Sequence, residues 1–185
     1  MAPITESEWL AHTQATEMLG LLRDRACEED LWLFAIACCR RIWPHIHDER
    51  SRRAVEMAEL DIDGRLAAEA RLAAAAGAAQ ALAEASDKLD IRSNGHLYHA
   101  AWAAALCLYT DGVPLRTRVD NPVLSGAFDC AMLVAVHCAY AGAIYRVHPI
   151  HSKAQKHAQL AVETDAEYAE QCHLLRGIFG YPFTP

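Results

Sequence analysis

Residues 122–146 read PVLSGAFDCAMLVAVHCAYAGAIYR, with Asp129 the only formal charge before Arg146. An apolar run of this length either spans a bilayer or forms the buried centre of a helical bundle. Its content favours the bundle. It is rich in Ala rather than Leu, contains Asp129, His137 and two Cys, and lies in a chain of net charge −7. A buried helix and no membrane span are therefore expected. Ala127, Ala131, Ala135, Ala139 and Ala143 recur every fourth residue. Small residues on such a ridge let a second helix approach closely, and the alanine-dense stretch at residues 65–89 is the expected partner. Asn121 and Pro122 read as N-cap and first helical residue.

Helix signals continue on both sides of this run, and strand signals are missing. Thr5 and Glu8 have the spacing of a capping box, with Ile4 and Trp9 placed as a hydrophobic staple. A short helix with Met18, Leu19, Leu21 and Leu22 on its apolar side follows. Glu28, Glu29 and Asp30 put negative charge at a helix start, and Arg40 and Arg41 put positive charge at its end. Within this helix Leu31, Phe34, Ala35, Cys38 and Ile42 form one apolar stripe and Trp32, Ile36, Cys39 and Trp43 another, so burial on two sides is expected. Pro44 stops it. Asp48 can cap a helix over residues 49–60, and further helices are expected over 65–89, 96–109 and 152–176. The tail GIFGYPFTP, residues 177–185, reads as irregular chain folded back on the bundle. The expected fold is all-α: a single-domain bundle of six to seven helices with a buried central helix around 122–146.

A length of 185 residues makes one domain the default. Hydrophobic residues make up 53% and charged ones 22%, which excludes a disordered chain. Thirty-six of the residues are Ala, however, so long apolar anchors are scarce and the four Trp and four Phe must carry much of the packing. Seven Cys cannot all pair within one chain, and Cys38 and Cys39 are adjacent. Free thiols and a reducing compartment are expected. With an N-terminus that lacks both a basic start and an apolar run, the reading is cytoplasmic.

Three constellations carry possible chemistry. The densest charge feature is RRIWPHIHDERSRR, residues 40–53, where Arg40, Arg41, Arg50, Arg52 and Arg53 surround an elbow with Trp43, His45 and His47. Guanidiniums beside an exposed aromatic residue suit a phosphate, an acidic peptide or a partner surface. The competing reading is internal pairing with Asp48, Glu49, Glu56 and Glu59. His137, with Cys130 and Cys138 nearby in sequence, could hold a metal or haem, or act as a buried pH-sensitive group. Metal-ligand spacing is otherwise weak. No Cys-x-x-Cys occurs, Glu170-x-x-His173 is half of a di-iron signature, and the pairs His45/His47, His96/His99 and His148/His151 are each only two residues. No nucleophile or phosphate-loop motif occurs, and the acidic balance disfavours general nucleic-acid binding. The leading expectation is a non-enzymatic helical protein-interaction module using the elbow. A metal- or haem-binding bundle around His137 is the first alternative. An enzyme of unrecognised type, which a cleft lined by ionisable residues would favour, is the second.

Three blocks also carry a resemblance: TESEWLAH at residues 5–12, LFAIACCRRIWPHIHDERSRRAVEMAE at 33–59 and QCHLLRGIFGYPFTP at 171–185. Together they resemble a family of uncharacterised all-helical proteins expanded in planctomycete bacteria. The resemblance implies a bacterial, cytoplasmic, all-α protein and attaches no activity, cofactor or catalytic residue. Related chains often continue past the phenylalanine–proline tail into a further segment.

Overall fold

The computed structural model describes residues 4–89, 95–109, 115, 124, 126–147 and 153–182. Among them are eight α-helices and no strand. They are α1 (Glu6–Ala11), α2 (Ala15–Leu22), α3 (Glu28–Arg41), α4 (Glu49–Ile62), α5 (Ala68–Asp87), α6 (Gly95–Cys107), α7 (Ala127–Val147) and α8 (Lys153–Phe179), with a 3₁₀ turn at Trp43–His45. The all-α expectation holds. The count of eight is near the expected six to seven, and α1 and α2 are separate helices as expected, divided by extended backbone at His12 and Gln14.

Local chemistry explains most of the helix starts. Thr5 Oγ1 accepts the Glu8 amide at 3.2 Å while the Thr5 amide donates to Glu8 Oε2 at 2.8 Å, which completes the capping box. Trp9 is buried at 1% exposure and Ile4 packs on the core. Cys27 caps α3, its Sγ accepting the Asp30 amide at 3.4 Å. Asp48 caps α4, accepting the Arg50 amide at 2.8 Å. Gly64, at φ +64, turns the chain between α4 and α5 in a conformation that glycine adopts without strain.

At the centre of the bundle, α7 packs against α6, α8 and α3, with a smaller contact on α2. It is the one described helix long and apolar enough to cross a membrane by length and composition, and 56% of its apolar window is buried among its neighbours. Cys130, Ala131, Val134, Ala135, Cys138 and Ala139 are fully buried. The α6 helix faces His137 and Tyr140 of α7 through His99 and Trp102, while the Ala135 carbonyl on the alanine ridge accepts from Gln171 of α8 at 3.0 Å, so at Ala135 the ridge meets α8 and not the 65–89 helix. That helix, α5, packs mainly on α4 and α6. In α6 the small residues Ala100, Ala101, Ala103, Ala104 and Ala105 are all buried, where α4, α5 and α7 pack around it. The α7 helix starts at Ala127, later than expected, while Asn121 and Pro122 lie outside the described residues.

The first stripe of α3 is fully buried: Leu31, Phe34, Ala35, Cys38 and Ile42. Its second stripe is half so, with Ile36 and Cys39 buried and Trp32 and Trp43 partly covered. The tail is more helical than expected. Residues 177–179 extend α8, because Cys172, Leu175 and Phe179 keep the helical spacing toward the core. Gly180, at φ +59, then ends the helix. Tyr181 folds back, its hydroxyl donating to the Ile4 carbonyl at 2.7 Å, and Phe183 lies outside the described residues.

Candidate functional site

The elbow between α3 and α4 is a pinned structure. Pro44 cannot continue a helix, so the chain makes a single 3₁₀ turn, and Ile46 anchors it at 1% exposure. Arg52 Nε donates to the Ile46 carbonyl at 2.6 Å and ties the turn to α4.

The elbow arginines are committed within the chain. Arg40 makes a two-pronged contact with Glu59, both bonds 2.7 Å. Arg41 reaches α8, bonding Glu167 at 2.9 Å and Glu170 at 3.3 Å. Arg50 holds Asp48 and Glu84 at once, with Nη2 at 2.8 Å from a carboxylate oxygen of each. Arg52 lies 3.8 Å from Glu49 and Arg53 4.0 Å from Glu56. All four acids named from the sequence therefore pair here, joined by Glu84, Glu167 and Glu170 from distant helices. Trp43 is not an open aromatic face: the Arg40 and Arg52 guanidiniums lie 4.0 and 5.4 Å from its ring centroid. Only Arg53, with a side chain 63% exposed, projects mainly to solvent.

On the side of the elbow that faces α5 and α6 lies a cleft of about 310 Å³. His45, His47, Asp48 and Ser51 form one wall, Ala81, Glu84 and Lys88 another, and Leu97, Ala100 and Ala101 of α6 the floor. Its size is at the lower end of small-ligand sites, and its mix of an apolar floor with a few polar groups is the usual one. Two polar atoms here are buried without a protein hydrogen-bond partner, His45 Nδ1 and Ser51 Oγ. Ser51 is only 1% exposed. Burial, with smaller contributions from His47 and Arg146, pushes the His45 pKa below its ordinary value. The ring is thus neutral at pH 7 and offers one donor and one acceptor nitrogen. Its face is held by Tyr145, ring centroids 4.2 Å apart.

His45 and His47 stand out in the sequence, but Ser51 does not. A signal was present: Ser51, Ala54, Val55 and Ala58 form the buried face of α4, and a serine at the apolar register of a helix needs a reason. Glu84 and Lys88 come from a stretch whose alanine bias hides its faces.

His137 is placed elsewhere, half-buried between α6 and α7. Its Nδ1 lies 2.9 Å from His99 Nδ1, and its ring stacks on Trp102 with centroids 5.2 Å apart. Burial lowers the His99 pKa to about 4, and burial together with His99 lowers that of His137 to about 3. Both rings are neutral near pH 7, and one donates to the other. Cys130 and Cys138 are fully buried and belong to a separate set of thiols. Cys39 is its centre, with Cys107 Sγ at 3.2 Å and the Cys138 thiol also in contact. Burial holds the Cys38 and Cys138 thiols well above the usual range, and the hydrogen bond to Cys39 together with burial does the same for Cys107. Among the described residues no three His, Cys, Asp or Glu side chains are grouped to hold a metal ion. Adjacent residues on a helix point about 100° apart, which explains why His137 and Cys138 serve different neighbourhoods. His148 and His151 lie outside the described residues.

The fold and the site together define a helical bundle with a lateral cleft at the α3–α4 elbow. No known protein family, curated protein or solved structure matches the chain.

Proposed function

We propose that the protein is a non-enzymatic helical interaction module, and that a protein partner docks by placing one short polar side chain in the elbow cleft. The observation that carries this reading is the pair of buried, unpartnered polar atoms, His45 Nδ1 and Ser51 Oγ, on one wall of the same cleft. A buried polar group without a partner costs about 1–3 kcal/mol, and an amide or hydroxyl of the partner removes that cost on binding. The elbow arginines then act indirectly. They fix the cleft walls, Arg50 most of all, because it joins the α4 cap to Glu84 across the cleft rim.

An enzyme reading has one observation in its favour, a cleft lined by ionisable residues. The constellation opposes it. Ser51 Oγ meets no base, and the carboxylates of Asp48 and Glu84 are both held by Arg50. An activated nucleophile needs a base within hydrogen-bond reach.

The test compares partner capture by three forms of the full chain. Ser51→Leu fills the cleft, whereas the double variant Arg52→Ala/Arg53→Ala removes charge from the outer elbow. Loss of a partner with Ser51→Leu and its retention with the double variant support the cleft. The opposite pattern returns recognition to the arginine surface, and identical recovery by all three forms refutes both.

A further inference from the structure

A second cleft of about 310 Å³ opens where α3, α4 and α5 meet, lined among others by Glu28, Glu29, Trp32, Asp61, Arg71 and Cys107. Two independent features distinguish it. Cys107 is among the lining residues, and its Sγ lies 3.2 Å from Cys39 Sγ. Arg71 Nε is buried without an acceptor, although its Nη1 pairs with Asp61 at 3.2 Å.

We propose that Cys107 and Cys39 form a peroxide-reactive dithiol, converted to a disulfide by a small neutral hydroperoxide that enters this cleft. The Cys107 thiol passes its proton to the Cys39 sulfur, which hydrogen bonds from Cys107 and Cys138 favour as thiolate, and the Cys107 sulfur attacks one peroxide oxygen as the O–O bond breaks. Cys107 becomes a sulfenic acid, and the departing hydroxide takes a proton from solvent and leaves as water. Cys39 sulfur then attacks the sulfenic sulfur, the S–O bond breaks, and the hydroxyl leaves with the Cys39 proton as a second water. Two thiols are oxidised by two electrons and one hydrogen peroxide is reduced to two waters.

Geometry and charge both fit. All seven Cys are free thiols, and a disulfide requires this pair to close from 3.2 Å to about 2.05 Å. Cys107 is the last residue of α6, where the backbone is no longer held by a following helical turn. The unused Arg71 donor suits the negative charge that develops on the departing oxygen. Glu28, Glu29 and Asp61 at the rim repel anionic disulfides and leave neutral peroxide unaffected.

The experiment treats the reduced full-length chain with hydrogen peroxide, alkylates remaining thiols under denaturing conditions, and maps tryptic peptides by mass. The expected product is two hydrogens lighter, has two fewer alkylated cysteines, and links the peptides at residues 26–40 and 93–116. Cys38→Ser and Cys172→Ser retain the link, while Cys39→Ser and Cys107→Ser abolish it. Cys107→Ala, at the helix end, also abolishes it and takes the place of Cys39→Ser if that variant does not fold. Arg71→Gln slows formation at least about tenfold and leaves the product unchanged. A link that survives Cys39→Ser or Cys107→Ala, a link to Cys138, or oxidation confined to exposed Cys27 overturns the proposal.

Discussion

Replacing Ser51 by Ala should make this protein more stable, against the usual direction of core truncation. Ser51 is 1% exposed and its Oγ meets no protein group. Relief of that orphaned hydroxyl contributes about 1–2 kcal/mol, and the exchange of Ser for Ala in a helix adds a few tenths. The void left by one oxygen is smaller than a methyl group and subtracts less than about 1 kcal/mol. The net gain is about 1 kcal/mol, or roughly 2–4 °C in Tm for a chain of this length. Thr164→Val provides the matched control. Its hydroxyl is also buried, but donates to the Leu160 carbonyl at 2.7 Å, so that variant should lose about 1 kcal/mol. Urea unfolding of the three proteins at one pH, with slopes shown to be equal, measures both differences. The same Ser51→Ala protein should bind its partner more weakly. If Ser51→Ala is destabilised by about 1 kcal/mol or more, the hydroxyl already has a partner in the free protein, and the reasoning behind the cleft fails.

Other consequences are independent of this one. Arg50→Met should cost about 1 kcal/mol in urea unfolding, because it frees Asp48 and Glu84 together, whereas Arg53→Ala should stay within about 0.5 kcal/mol. Ala135→Leu, at 0% exposure on the α7 ridge, should cost about 1–3 kcal/mol or more by overpacking, and a neutral result would contradict the close helix approach. Acid should weaken the fold through His99 and His137. Their folded pKa values of about 4 and about 3 lie below the unfolded 6.5, so the unfolded chain binds more protons in that window. Stability contributed by the neutral rings is then lost as pH falls from about 6.5 toward 3, at about 2 kcal/mol per ring between pH 7 and pH 5. Replacing His137 with Phe should flatten the pH dependence of the urea midpoint over that range, and an unchanged profile would exclude the pair as its source.

Much of the secondary structure is legible in the sequence because its causes are local. The Thr5–Glu8 box, the acidic start and basic end of α3, Pro44 and the Asp48 cap act within one helical turn, and each appears in the structure where the residues place it. Gly180, with Pro182 the expected helix stop, takes the left-handed conformation that ends α8, and residues 177–179 differ from the expectation in that the helix runs through Gly177 to reach it.

Which surfaces meet was settled only by the tertiary structure. The spacing of the α7 alanines marks a face for close approach but does not say which helix covers it. The structure sets Gln171 of α8 on the Ala135 carbonyl and turns the His137 face toward α6. The acidic and basic residues of the elbow were visible, but Glu167 pairs with Arg41 across 126 positions, and no local rule selects it. The same holds for Cys39 and Cys107, 68 positions apart, and for the Ser51 hydroxyl beside the α5 and α6 walls. Short-range sterics and hydrogen bonds give each helix its ends. Pairings between distant residues depend on which helices the chain brings side by side, and that is a property of the whole packed bundle.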